Sequence, residues 1–312
     1  MLFILFNRPS TARRVFERIK QARPPRLYIA ADGPRAGNAS DAELCQQTRM
    51  IASQIDWQCE LHLLFQDENL GCKYGPLTAI NWFFSQELEG IILEDDCVPD
   101  PAFFPYCSDL LERYRDNERI LTISGFNFGY KPENPKYSYF FSRYMNPVGW
   151  ASWKRSLNLV DYQLKQWNQM KKVSFLHRHT RNSLLDFDWK WVKDWRKTFD
   201  ELVNNNVNAW DYYWMFAGMK YDTLTIFPTR DLIENIGFDD SATHTKNSDS
   251  PMAQVKAETL IFPLSHPSRI RRDKYFEEEY IKKVWQSYSR KGFTYQIKTF
   301  LREEVLPNLQ KK

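Results

Sequence analysis

The residues best suited to chemistry form an acidic run, Glu94-Asp95-Asp96, directly after the apolar stretch Gly90-Ile91-Ile92-Leu93. In an extended segment Glu94 and Asp96 project to one side, about 6.6 Å apart, and Asp95 to the other. Hard carboxylate oxygens in that arrangement suit Mg2+ or Mn2+, which would bridge a diphosphate. A departing diphosphate gathers negative charge, and such an ion neutralises it. With 39 acidic residues in 312, roughly 0.6 acidic triplets arise by chance. Glu277-Glu278-Glu279 reads as one of these, a solvated helix face. The first triplet differs in its setting, after a buried strand and before Pro99 and Pro101.

A second candidate is Asp211, enclosed by Trp210 and Tyr212-Tyr213-Trp214. Apolar neighbours raise a carboxyl pKa towards the range useful to a general base. On sequence alone Asp186, Asp188, Asp194 and Glu201 are its rivals.

Elements to position these groups are visible in the first half. Leu2–Phe6, Leu27–Ala31, Leu61–Phe65, Gly90–Leu93 and Ile120–Ile123 read as short buried strands between helical patterns, the signature of an α/β sheet. After a cap at Ser10, Ala12, Val15, Phe16 and Ile19 keep helical spacing. Ser40–Gln54 reads as a second helix. Pro76 is expected to open a third, with Leu77, Ile80, Phe84 and Leu88 on one face. Asp100-Pro101 caps a fourth. In open α/β sheets ligands sit beyond the carboxyl ends of the strands, where the acidic triplet lies. Past about residue 130 the alternation fails, and residues 150–214 carry eight of the eleven Trp on segments that read as helical or irregular. Thr243–Pro251 reads as a polar loop and 269–306 as a charged amphipathic helical tail.

Composition narrows the classes. The chain is 43% apolar and 16% aromatic, yet its mean hydropathy is −0.60. That excludes global disorder. A net charge of +4 is too small to point to nucleic acid. The charge is uneven, because Arg269–Lys312 carries net +6 and the residues before it net −2. Five Cys without a CxxC pair argue against a disulfide framework or zinc ribbon and for a reducing compartment. No apolar run approaches a membrane span. A cytoplasmic protein is expected.

An ordered set of motifs over residues 2–245 resembles glycosyltransferases of the GT-A fold. The nearest are the N-acetylglucosaminyltransferase I type and bacterial family-2-like nucleotide-diphospho-sugar transferases. The motifs are Leu5-Phe6-Asn7-Arg8-Pro9, Ala31-Asp32-Gly33-Pro34-Arg35, Asn69-Leu70-Gly71 with Lys73-Tyr74, and the triplet with its Pro-Asp-Pro sequel. Val148-Gly149-Trp150, Trp210-Asp211 and Asn235-Ile236-Gly237-Phe238 follow. The resemblance implies a Rossmann-like mixed sheet flanked by helices, with an aromatic-rich helical acceptor half and a C-terminal helical tail. It implies a nucleotide-sugar half over 1–130, an acceptor and catalytic half over 131–265, and a basic tail over 266–312.

Carried over by position, Arg8 and Asp32 would hold the nucleotide, Asp32 accepting from a uracil imide. Lys73 stands where the family often has a donor-contacting His. Glu94 would contact the donor sugar, Asp95 the ribose, and Asp96 the metal, Mn2+ or Mg2+. Asp211 matches the catalytic base. His244 would touch the pyrophosphate or metal from its loop. Trp150 and Trp210 are the candidates for sugar contact, although Trp at helical spacing more often packs a core.

The expected activity is therefore metal-dependent, inverting transfer from a nucleotide-diphosphate sugar, UDP-linked by resemblance, to a glycan or glycolipid hydroxyl. Two alternatives stand beside it: a non-catalytic carbohydrate-binding protein, and a sugar nucleotidyltransferase. The latter is disfavoured because no glycine-rich basic loop follows the first strand. The basic tail offers peripheral contact with an anionic membrane face, against the plainer reading of a solvated appendage. The sequence does not set the oligomeric state.

Overall fold

The computed structural model describes residues 1–132, 135–171, 189–238 and 252–281, without the side chains of 189–193. The loop carrying His244, the rivals Asp186 and Asp188, and the tail beyond residue 281 lie outside the described residues.

The first four strands are β1 (Leu2–Leu5), β2 (Arg26–Ala31), β3 (Glu60–Phe65) and β4 (Glu89–Glu94). They pair in the order β3-β2-β1-β4, all parallel. Between them run helices α1 (Pro9–Ala22), α2 (Ala39–Arg49, extended by a 3-10 turn over Met50–Gln54) and α3 (Gly71–Gln86). Helix α1 buries Ala12, Val15, Phe16 and Ile19, the face its spacing announces. Its start differs from expectation: Pro9 occupies the first turn and Ser10 caps nothing, because a proline needs no N–H donor there. Helix α3 likewise begins five residues before Pro76. Leu88 lies beyond its end and is 76% exposed.

The rest of the sheet is mixed. β5 (Cys97–Pro99), α4 (Phe103–Arg113), β6 (Ile120–Ser124), β7 (Tyr139–Ser142) and β8 (Trp150–Trp153) follow in the chain. Then come α5 (Lys154–Leu157), α6 (Trp167–Met170), α7 (Trp189–Val203), α8 (Asp211–Tyr221) and β9 (Leu224–Pro228), and finally β10 (Ile233–Asn235) and α9 (Lys274–Glu279). The eight-stranded sheet runs β3-β2-β1-β4-β8-β6-β9-β7. Strand β8 inserts antiparallel between β4 and β6, so the expected fifth strand does not adjoin the fourth. Residues 150–153 are therefore strand rather than helix. Trp150 packs into one layer of the core, and Ala151 and Trp153 into the other, the period-2 alternation of a strand covered on both faces.

Residues 272–281 belong to this core. Phe276 is buried and Asp273 caps α9 through the Phe276 N–H. Glu277 is buried too, paired with Arg272 and accepting from Ser142 Oγ and Arg143 N. That corrects the reading of Glu277-Glu278-Glu279 as a wholly solvated face. The Arg272 guanidinium, with these donors, offsets the cost of burying one carboxylate.

Candidate active site

Strand order reverses at β1: the chain steps out to β2 and β3, then returns to place β4 on the other side. That is a topological switch point, where a cleft opens beyond the strand ends. A cavity of about 510 Å³ lies there. It is lined by residues at the ends of β1, β2 and β4, the start of α3, the Asn208–Asp211 segment and the turn after β10.

Register places the acidic run. Glu94 is level with Ile4, so Asp95 and Asp96 emerge beside the residues that follow β1. Asp95 is 2% exposed, accepts from Phe6 N at 3.2 Å and pairs with Arg8 Nη2. Arg8 Nη1 reaches Asp96 Oδ2 at 3.1 Å. One guanidinium thus serves two carboxylates, a geometry suited to its fixed fork. Burial pushes the Glu94 carboxyl up to about 8, and the Asp96 and Asp95 charges add to it. Burial also raises Asp95, to about 6, against the pull of Arg8.

Asp95 and Asp96 carry two negative charges against the single cation of Arg8, which leaves the strand end short of positive charge. Among the described residues no group of three or more His, Cys, Asp or Glu is arranged to hold a metal by itself. A divalent ion that keeps water and substrate phosphate oxygens needs only one or two carboxylates. Asp96, with 17% of its side chain exposed to the cleft, fits that mode.

Asp32 lines the cleft, but its carboxylate is filled. Oδ1 accepts from Gly33 N at 2.9 Å and Leu70 N at 2.8 Å. Oδ2 accepts from Asn69 Nδ2 at 2.9 Å and Gly71 N at 3.0 Å. A carboxylate offers about four lone-pair sites, so a uracil imide could enter only by displacing one of these donors. Asp32 instead anchors the start of α3, which explains why that helix begins before Pro76.

Asp211 opens α8 and faces the cleft. Burial raises its carboxyl to about 6, opposed by its own N–H and that of Tyr212. The rivals Asp194 and Glu201 sit on α7, outside the cleft lining; Glu201 holds Asn206 Nδ2. Trp210 lines the cavity. Trp150, by contrast, is fully buried behind it, its ring 5.6 Å from that of Trp210. It supports the cleft wall and cannot touch a sugar. Lys73 does not reach the cleft lining either: it is 5% exposed and donates to Asn205 Oδ1 at 3.0 Å.

Two contributors carried no assigned role in the sequence. Asn69 braces Asp32, as above. Gly237 lies against Asp96, where a Cβ would overlap Oδ2. Strand β10 pairs antiparallel with β5 and delivers Gly237 there, while Ile236 N donates to Asp96 O at 2.9 Å. The Asn-Leu-Gly and Asn-Ile-Gly sequences were the only signals of these contacts.

No protein-family model matches the chain, and a search of curated proteins finds no match. Among solved structures, the chain is similar to the mannosyltransferase PcManGT from Pyrobaculum calidifontis in complex with GDP-Man and Mn2+. That similarity has a TM-score of 0.31 and 12% identity, over 50% of this chain and 45% of the other. So slight a likeness carries no weight in assigning function.

Proposed function

We propose that this protein is a GT-A-type glycosyltransferase that transfers a sugar from a nucleoside diphosphate to a hydroxyl acceptor, with inversion. The observation that carries this reading is the meeting, in one cleft at the switch point, of the Glu94–Asp96 strand end with the half-buried carboxylate of Asp211. Donor contacts fall to residues within 1–130, and the acceptor to residues within 131–265 beside Trp210. A divalent ion, Mn2+ or Mg2+, fits Asp96; when bound it supplies charge neutralisation at the diphosphate.

The chain's own groups do the rest. Arg8 holds Asp95 and Asp96 in place. Asp211, ionised at neutral pH, accepts the proton of the acceptor hydroxyl as that oxygen bonds to the anomeric carbon. The bond from that carbon to the diphosphate breaks, and its electron pair leaves with the diphosphate. Glu94 faces the donor sugar, and His244 is a further donor contact by resemblance. UDP remains the first nucleotide to try, though the base must be read by groups other than the filled carboxylate of Asp32. A glycan or glycolipid is the acceptor class.

The aromatic side chains oppose a carbohydrate-binding module. Trp150, Trp153, Trp167, Trp195 and Trp214 are all fully buried, so they pack the core rather than present sugar platforms. The test is hydrolysis of nucleotide sugars with and without Mn2+. The reading expects Mn2+-dependent release of the nucleotide, lost in Asp96→Ala. Sugar binding indifferent to both Mn2+ and Asp96 would favour the module instead.

A further inference from the structure

Resting on the role of Asp211 above, the geometry points to Lys73 as a positioning residue for that carboxylate rather than a contact to the donor. The first turn of α3 is held on two sides. On one side Asp32 accepts the N–H groups of Leu70 and Gly71, at 2.8 and 3.0 Å. On the other, Cys72 Sγ donates to Asn208 O at 2.9 Å and Lys73 Nζ to Asn205 Oδ1 at 3.0 Å. Both acceptors belong to the short segment between α7 and α8, which ends at Asp211.

Lys73 grips that segment from both flanks. Its ammonium meets Asn205 before Asp211 and lies 5.3 Å from the centre of the Tyr213 ring after it. Asn205 is itself in the left-handed region, at φ +58°, a conformation Asn tolerates better than most residues but still a costly one. A hydrogen bond from a buried ammonium stabilises that turn. Losing the ammonium would free the turn, and with it the α8 N-terminus whose N–H groups orient the Asp211 carboxylate. Displacement of a catalytic group by about 1 Å costs on the order of 100-fold in rate. Because α3 is fixed to Asp32 by the same turn, Lys73 joins the donor wall of the cleft to the proton-accepting wall.

The test uses the full chain with Lys73→Met, which keeps the stem but not the charge, and Lys73→Arg, which keeps both. Three quantities are read: amide hydrogen exchange of residues 205–214, the Kd of UDP with Mn2+, and kcat and KM for donor turnover. The expected result for Lys73→Met is faster exchange in 205–214, kcat lower by about tenfold or more, and nucleotide Kd within about twofold of wild type. Lys73→Arg restores most of kcat. A tenfold weaker Kd or higher donor KM, with exchange and kcat unchanged, would overturn the proposal and make Lys73 a donor contact. Unchanged exchange and kcat with unchanged binding would overturn it as well. If the wild type turned over no nucleotide sugar, the transferase reading would fail, while the exchange data would still decide whether Lys73 holds the segment. Should Lys73→Met not fold, Asn205→Gly removes the acceptor while its backbone still adopts the left-handed conformation, and carries the same readouts.

Discussion

Gly237 lies so close to Asp96 that a Cβ at position 237 would overlap the Asp96 carboxylate. Two antiparallel elements produce this approach: β10 runs back along β5, so the residue two beyond Asn235 arrives against the carboxylate. The Asn235 side chain tightens the turn by accepting from Gly237 N at 2.9 Å. A Gly237→Ala variant must push Asp96 aside. Nucleotide binding that depends on Mn2+ should weaken by tenfold or more, measured by calorimetric titration, with Tm lower by only a few degrees.

Asp32→Ala is expected to act on stability before it acts on recognition. Four donors lose their acceptor, and Leu70 and Gly71 N–H are left at an uncapped helix start. Such losses cost roughly 1–3 kcal/mol, readable as a lower denaturant midpoint. If Asp32 read the base instead, Asp32→Ala would change the preference among UDP, GDP and CDP with stability intact. A comparison of the two readouts separates the roles.

The rate of transfer should follow the ionisation of Asp211. Its carboxyl is raised to about 6 by burial, so activity climbs with pH through that value. Asp211→Asn should lower kcat by roughly 100-fold to 10,000-fold and leave nucleotide affinity near wild type. A pH–rate profile of the wild type and single-turnover rates of the variant check both statements.

Asp231 gives a stability signature away from the cleft. It is 1% exposed, its carboxylate accepting from Asn127 N at 2.6 Å and Gly129 N at 3.1 Å. Burial raises its pKa to about 6 from 3.8 in spite of these donors. The folded state therefore holds a proton that the unfolded chain has released. Its contribution is fully present below the unfolded value and is lost as pH rises through about 6. Chemical denaturation of Asp231→Asn across pH 4–7 should show a flatter decline than the wild type.

How much of this was legible in the sequence depended on how local each cause is. Leu2–Phe6, Leu27–Ala31 and Gly90–Leu93 read as strands because parallel strands covered on both faces are continuous apolar runs. Trp150–Trp153 did not, since four residues with Ala151 and Ser152 at the centre form no such run; the strand is made by β4 and β6 on either side. The acidic triplet was visible from its place after β4. The saturation of Asp32 was not, because its donors come from Asn69–Gly71, brought near by the β2–β3–α3 crossover. Lys73 was matched by position, but its direction is set by Asn205, far along the chain. Trp150 matched a motif whose conformational demand lies in Gly149, at φ +56° and against Ile233.

In the proposed function the strand-end carboxylates hold a nucleoside diphosphate through a divalent ion. Calorimetric titration of UDP, GDP and CDP into wild type and Asp96→Ala, each with and without Mn2+, tests this. At least one nucleotide is expected to bind the wild type only with Mn2+, and at least tenfold more weakly in Asp96→Ala. Binding that is equal in both proteins, or absent for every nucleotide at millimolar concentration with Mn2+ present, would contradict it.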